Sequence, residues 1–330
     1  MSNTLPTLTL RVAEARLLNP LIRQFRLRAV DGSALPGYTA GAHVRVRVRL
    51  PGGAEDWRHY SLINPSPAPG ATDAPHEYVI AVRREDQGRG GSRCMHEQVQ
   101  AGDLLVIDAP KNEFALREHA GCAVLIAGGI GVTPLVSMAA QRVREGAAVR
   151  MHYAGRTREL LAFVPELEQL LGDALSVHAD AEAGGPLDLG ALLDRCGADD
   201  QLYVCGPKLM LDAVLALTQA RGWTHDRVHF ELFTTPTAEA GDRAFELVLA
   251  QSGRTLTVPA GTTILDCLIE NGCDPMFDCK RGECGVCSTP VIEGDIDHRD
   301  YFLSQDEKAS GKVMQICISR ARGPRLVLDI

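Results

Sequence analysis

The stretch Asp278-Cys279-Lys280-Arg281-Gly282-Glu283-Cys284-Gly285-Val286-Cys287 spaces three cysteines as C-x4-C-x2-C, and Cys317 follows about thirty residues later. This is the spacing of a plant-type 2Fe–2S site, in which four thiolates hold two irons. The neighbouring residues suit that chemistry. A reduced cluster puts negative charge on its sulfurs, and backbone N–H groups turned inward offset it. Gly282 and Gly285 permit the tight, partly left-handed backbone of such a wrap. The competing reading is a zinc knot. Structural zinc more often takes paired C-x2-C or C-x2-C with H-x3-H sets, and this loop has one such pair plus a longer arm.

Just upstream, Phe245–Leu249 and Thr255–Val258 read as a hairpin around Ser252-Gly253. Thr262 to Gly272 reads as a capped helix with an apolar stripe at Ile264, Leu265, Leu268 and Ile269. Hairpin, helix and cluster loop in that order fit a small β-grasp ferredoxin. Before them, Thr234 to Arg243 has the composition of an exposed linker.

From about residue 118 to the linker, strands and helices alternate. Ala123–Ala127, Val149–Ala154, Leu175–Ala179, Gln201–Cys205 and Val228–Phe233 read as strands. The uncharged run from Ala123 to Ala140 is long enough to suggest a membrane helix. Gly128, Gly129, Gly131 and Pro134 interrupt it and favour strand, turn and helix. Thr133 is expected to cap that helix, Pro134 to be its first residue, and Gly146 to end it. A second strand end, Cys205-Gly206-Pro207, leads into a helix in the same way. A doubly wound sheet presents such turns to a ligand at its carboxyl edge. The G-x-G-x-x-G fingerprint is absent.

Residues 1 to about 112 read as β. Gly41 to Leu50 alternates valines with arginines, the pattern of a strand with one solvated face. Arg58–Leu62 and Glu77–Arg83 are further strands, separated by a Pro- and Ala-rich loop from Asn64 to Pro75. Gly88-Arg89-Gly90-Gly91-Ser92 opens a short helix ending near Gly102, with Ser92 as its expected N-cap. N–H groups at such a helix start suit an anion.

The whole chain, 330 residues with a net charge of −8, makes nucleic acid an unsuitable partner. Of its 10 cysteines, six stand outside the cluster set and show no paired framework, as expected for free thiols in a reducing cytosol. Met1 to Pro6 lacks a basic region followed by an apolar run, so no signal peptide is read there.

Taken together, the motifs resemble the phthalate dioxygenase reductase family, FMN- and 2Fe–2S-containing reductases that serve Rieske oxygenases. The resemblance rests on Arg58-His59-Tyr60-Ser61, Gly88 to Ser92, Pro110-Lys111-Asn112-Glu113-Phe114, Gly128 to Pro134, Cys205-Gly206-Pro207 and His229-Phe230-Glu231-Leu232-Phe233. Asp297-His298-Arg299-Asp300 and Cys317-Ile318-Ser319-Arg320 complete it. It implies an antiparallel flavin β-barrel over 1–114, a doubly wound parallel α/β nicotinamide domain over 115–234, a linker over 235–243 and a β-grasp ferredoxin over 244–330.

It also implies roles. Arg58 would pair with the flavin phosphate, whose oxygens match a guanidinium fork. Tyr60, with His59 beside it in the motif, would lie against the isoalloxazine, and Ser61 would donate to its reactive nitrogen. Backbone groups of Ala81, Val82 and Arg83 would read the pyrimidine edge. Gly90, Gly91 and Ser92 would hold the terminal phosphate, which implies FMN rather than FAD. Gly129, Thr133, Cys205, Gly206 and Pro207 would shape the nicotinamide slot, and Phe233 would cover the flavin face. Cys205 and Glu231 would steer nicotinamide without proton transfer. Cys279, Cys284, Cys287 and Cys317 would hold the cluster.

Where the family's NADH-preferring type carries Arg-Asp, this chain has Arg156 and Thr157. NADH is expected, with NADPH less excluded than an acid would make it. The implied activity takes hydride from NAD(P)H onto FMN and sends single electrons through the cluster to a partner. That partner is a Rieske non-haem iron oxygenase, met briefly by a cytoplasmic monomer with no membrane role. The rival readings are a donor to a haem monooxygenase, a redox carrier or sensor without turnover, and a flavin reductase with a zinc-bound tail.

Overall fold

Val44, Val46 and Val48 are buried while Arg47 and Arg49 face out, so the strand that alternates in sequence alternates in space. In the computed structural model, which describes residues 6–63, 75–233 and 241–330, this strand is β3 (His43–Arg49). The Pro- and Ala-rich loop and the linker fall mostly outside the described residues, as does the segment before residue 6. Around β3 lie β1 (Thr7–Asn19), β2 (Ile22–Ala29), β4 (Glu55–Ser61), β5 (Tyr78–Arg83), helix α1 (Gly91–Glu97) and β6 (Leu104–Asp108). They form an antiparallel sheet in the order β4-β3-β6-β1-β2-β5. The sheet curls: Ile63, just past β4, donates its N–H to Val79 O on β5 at 2.9 Å. Arg45 is only partly solvated, because it pairs with buried Asp108 and stacks on Trp57.

The second layer alternates β7 (Ala123–Gly128), α2 (Val132–Arg144), β8 (Val149–Gly155), α3 (Val164–Leu171), β9 (Leu175–Ala179), α4 (Asp180–Ala183), α5 (Leu189–Leu193), β10 (Gln201–Cys205), α6 (Lys208–Ala220) and β11 (Val228–Glu231). All five strands are parallel, in the order β11-β10-β7-β8-β9. The order reverses direction between β7 and β10, which makes their carboxyl ends the topological switch point. Every residue of β7 is buried, as a central strand covered on both faces must be.

The barrel and this sheet share one core, in which Ile22, Ala40, Ile63 and Phe114 pack with Leu125, Leu135 and Met138. Gly41 sits at that joint with φ 91°, its N–H donating to Ser137 Oγ on α2. A Cβ there would collide with the Phe114 carbonyl. The chain accordingly divides into two compact units, Met1–Phe233 and Thr234–Ile330.

The second unit holds β12 (Phe245–Leu249), β13 (Arg254–Val258), α7 (Ile264–Glu270), β14 (Ser288–Glu293), β15 (Ile296–Asp297), α8 (Gln305–Ser310), β16 (Val313–Gln315), β17 (Arg320–Ala321) and β18 (Arg325–Leu328). Its main sheet runs β13-β12-β18-β14-β16, with β12 and β18 parallel. Thr263 caps α7 by accepting from Asp266 N. The buried stripe is Ile264, Leu265, Cys267 and Leu268; Ile269 is exposed, so the expected stripe is corrected by one position.

Two further expectations are corrected. Helix α1 begins at Gly91, with Gly90 (φ 95°) in the cap position, and it stops at Glu97 rather than near Gly102. Ser92 lies inside it, and its hydroxyl accepts from Glu85 N instead. Helix α2 begins at Val132 after a 3-10 turn over Gly129–Gly131, so Thr133 is not its cap; the Thr133 hydroxyl donates to Ile130 O. Among the described residues no helix is long and apolar enough to cross a membrane.

Candidate functional site

The cysteine loop is built on left-handed backbone. Lys280, Gly282 and Gly285 have φ of 54°, 75° and 75°. Side chains crowd both glycines. A Cβ on Gly282 would stand 2.7 Å from Ile318 Cγ2, and one on Gly285 would strike the Phe302 ring. Cys279, Cys287 and Cys317 are buried and Cys284 is partly so. Their sulfurs form a chain of contacts: Cys279 with Cys284 and Cys317, and Cys317 with Cys287. Hydrogen bonds from Cys284 and Cys317 hold the Cys279 thiol far below its usual range, and those two donors are pushed up in turn. The Arg281 N–H points at Cys279 Sγ from 3.3 Å, and the Glu283 N–H adds to it. Four soft thiols with inward backbone N–H groups fit a two-iron, two-sulfide cluster.

The two motifs that complete the family pattern support this loop from below. Asp300 accepts from Leu303 N and from Ser319 Oγ, and Tyr301 N donates to Gly282 O at 3.0 Å. Arg299 bridges Asp242 and Asp297, while Arg320 donates to Thr262 O and Pro259 O. Neither sequence motif announced Asp242, which anchors both arginines.

In the barrel, Arg58 stands beside the start of α1: a Cβ on Gly91 would lie 2.9 Å from Arg58 Nε. Its guanidinium pairs with Asp56 at 2.5 Å. Burial pushes the Tyr60 hydroxyl up, so it stays neutral. His59 is exposed and meets His43 edge-on at 5.0 Å. Ser61 is buried, and its Oγ has no hydrogen-bond partner among the described residues. A buried hydroxyl left unsatisfied costs about 1–3 kcal/mol, which a ligand acceptor would recover.

On β5, alternate residues face opposite edges. Val79 O is used toward Ile63 and Arg84 N toward Leu21. Ala81 and Arg83 therefore share the Val79 edge, whereas the Val82 carbonyl meets His96 Nε2 at 2.8 Å.

At the switch point, Gly128 and Gly131 let the turn after β7 close onto the end of β10. A Cβ on Gly128 would lie 2.5 Å from Pro207 Cδ, and one on Gly131 would strike the Cys205 carbonyl. Gly129 takes φ 55°. Buried Cys205 is in register with buried Glu231 across β10 and β11, and Phe233 follows, partly exposed. The Gly129–Gly131 turn also lies against β5, which brings the barrel edge and the switch point together. Arg156, just past β8, is exposed; Arg158 two residues on pairs with Glu168 of α3 at 2.6 Å.

Residues 247–322 match the family model described as the 2Fe-2S iron-sulfur cluster binding domain. Residues 109–228 match the dimethylamine monooxygenase subunit DmmA-like N-terminal domain. The chain is 43% identical over 337 residues to tetrachlorobenzoquinone reductase of Sphingobium chlorophenolicum, covering 100% of each. It superposes on phthalate dioxygenase reductase, a modular structure for electron transfer from pyridine nucleotides to [2Fe-2S], with a TM-score of 0.71 and 33% identity over 98% of both chains. It also matches 42% of the length of the cytochrome P450 CYP116B46 of Tepidiphilus thermophilus, at 36% identity over 98% of this chain and a TM-score of 0.72. The chain is an oxidoreductase and belongs to the phthalate dioxygenase reductase family, with a 2Fe–2S ferredoxin domain at its C-terminus.

Proposed function

We propose that this chain is the NADH-dependent reductase of an oxygenase system, binding FMN and delivering single electrons to a Rieske non-haem iron oxygenase. The observation that carries the reading is the presence, in one chain, of a glycine switch point pressed onto the Cys205 carbonyl and a four-thiol loop on left-handed backbone. When bound, FMN converts a two-electron donor into single electrons, and the cluster gives them a one-electron exit. The protein's part is placement. Arg58 and the Gly90–Ser92 start of α1 hold the phosphate, Tyr60 backs the ring, and Ala81 and Arg83 offer edge groups. Ser61 uses its free buried hydroxyl on the ring. Gly129, Thr133 and Cys205-Gly206-Pro207 shape the nicotinamide slot, with Glu231 beside Cys205 and Phe233 over the approach.

In this reading the barrel occupies 1–114, the nicotinamide domain 115–234 and the ferredoxin 244–330. The chain works as a cytoplasmic monomer and meets its oxygenase briefly, through the small kind of interface electron transfer uses.

NADH is favoured over NADPH because Glu168 pairs with Arg158 near the carboxyl end of β8. An acid there repels a 2′-phosphate, which a free arginine would welcome. Glu168→Gln is therefore expected to improve kcat/KM for NADPH several-fold and leave that for NADH nearly unchanged. Steady-state rates with both nucleotides check it.

A second reading, donor to a haem monooxygenase, is favoured by the likeness to a P450 chain. Coupled NADH oxidation by the purified protein with each type of acceptor separates the two. Failure to reduce either without an added ferredoxin removes both. A carrier without turnover would lack NADH–ferricyanide activity when replete with flavin.

A further inference from the structure

We propose that Gln315 is a positioning residue for the two-iron centre, its side-chain amide donating an N–H to the Cys287 sulfur. This rests on the assignment of the four cysteines as cluster ligands. Gln315 ends β16, is fully buried, and lies opposite Ser288 in the β14–β16 ladder. Its carbonyl accepts from Ile318 N and Ser319 N, so the residue is fixed just ahead of Cys317. Its side chain has two contacts. Oε1 is 3.3 Å from Cys287 Sγ, and Nε2 is 2.6 Å from Ser288 Oγ, which in turn bonds Gly285 O at 2.7 Å.

With Cys287 a neutral thiol, the sulfur donates and the amide oxygen accepts. As an iron ligand the same sulfur is a thiolate, with no proton to give and negative charge to stabilise. A carbonyl oxygen beside it is then the wrong group. The two ends of a carboxamide have nearly the same shape, so a half turn about the last side-chain bond exchanges them. Nε2 then faces Cys287, and Oε1 accepts from the Ser288 hydroxyl. Gly285 O keeps a partner, because Ser288 N also donates to it at 3.1 Å. Each polar atom of the set keeps a partner with iron bound, whereas a leucine offers neither donor nor acceptor and an ionised glutamate offers no donor. Hydrogen bonds to cluster sulfurs favour the more negative, reduced state and raise the potential.

The test uses full-length protein reconstituted with iron and sulfide, in the wild type and in Gln315→Leu and Ser288→Ala. Iron and acid-labile sulfide are assayed on each sample, and the cluster midpoint is read by EPR-monitored titration. Gln315→Leu is expected to keep its iron while its midpoint falls, by roughly tenfold in the reduction equilibrium, or about 59 mV for one electron. Ser288→Ala, which removes only the partner of Oε1, should fall less in the same direction. The flavin couple should not move in either. An iron-replete Gln315→Leu protein with the wild-type midpoint overturns the proposal. Should that variant lose its iron, Ser288→Ala decides by the same criterion. Wild-type protein without iron would instead refute the ligand assignment on which the proposal rests.

Discussion

Under the proposed function, the two units put their chemistry in different places. In the C-terminal unit it lies in side chains: four thiols, held where Lys280, Gly282 and Gly285 turn left-handed. In the N-terminal unit it lies largely in main chain and close approach: Gly131 on the Cys205 carbonyl, Gly91 under Arg58, and the outward edge of β5. Ligands supplied by side chains can be lost one at a time, and the metal goes with them. A site made of backbone is lost only by changing the packing that shapes it.

The largest effect should come from Cys317→Ser. It is expected to abolish iron and acid-labile sulfide retention and cytochrome c reduction, while NADH–ferricyanide activity persists. Loss of both activities together would show that the units are not separable in this way. Gly131→Ala is the matching test in the other unit. Its Cβ has no space against main chain, so a cost of about 1–3 kcal/mol is expected. Thermal unfolding should show a lowered Tm for the first unit and an unchanged cluster absorbance.

Ser61→Ala comes next. Its buried hydroxyl bonds nothing among the described residues, so removing it relieves an unsatisfied group and should leave the flavin-free protein no less stable, and up to about 1–3 kcal/mol more so. Flavin reduction by NADH should slow by roughly ten- to a hundredfold in stopped flow, the value of one strong hydrogen bond. A destabilised protein with normal reduction would reverse that assignment.

The smallest effect concerns pH. Burial, with the Arg117 charge behind it, pushes the His229 imidazole down to about 4. The unfolded chain therefore binds the proton first, and stability is lost as pH falls from about 6.5 toward 4. His229→Gln should flatten that part of the denaturation profile, most visibly in the first unit.

The same contrast explains what was legible in the sequence. Cysteine spacing, strand alternation and glycine-proline strand ends are local, and they placed the cluster loop, β3 and the ends of β7 and β10. The two cap assignments failed because residue type was read without the preceding backbone. Gly90 and the 129–131 turn start their helices early, and the hydroxyls of Ser92 and Thr133 go to Glu85 N and Ile130 O. Glu168, Asp242 and Gln315 lie outside every motif: Asp242 and Gln315 meet partners 57 and 28 residues away, and Glu168 reaches Arg158 only once α3 has formed. Phe114 is likewise no clean boundary, since it belongs to the core that the barrel and the parallel sheet share.

An anaerobic NADH titration of the purified chain, followed by visible absorption and EPR on the same sample, tests the central claim most directly. The flavin band should bleach and the one-electron signal of a reduced 2Fe–2S cluster should rise in the same molecules. Bleaching with no cluster signal, in protein shown to contain iron and sulfide, would contradict the account.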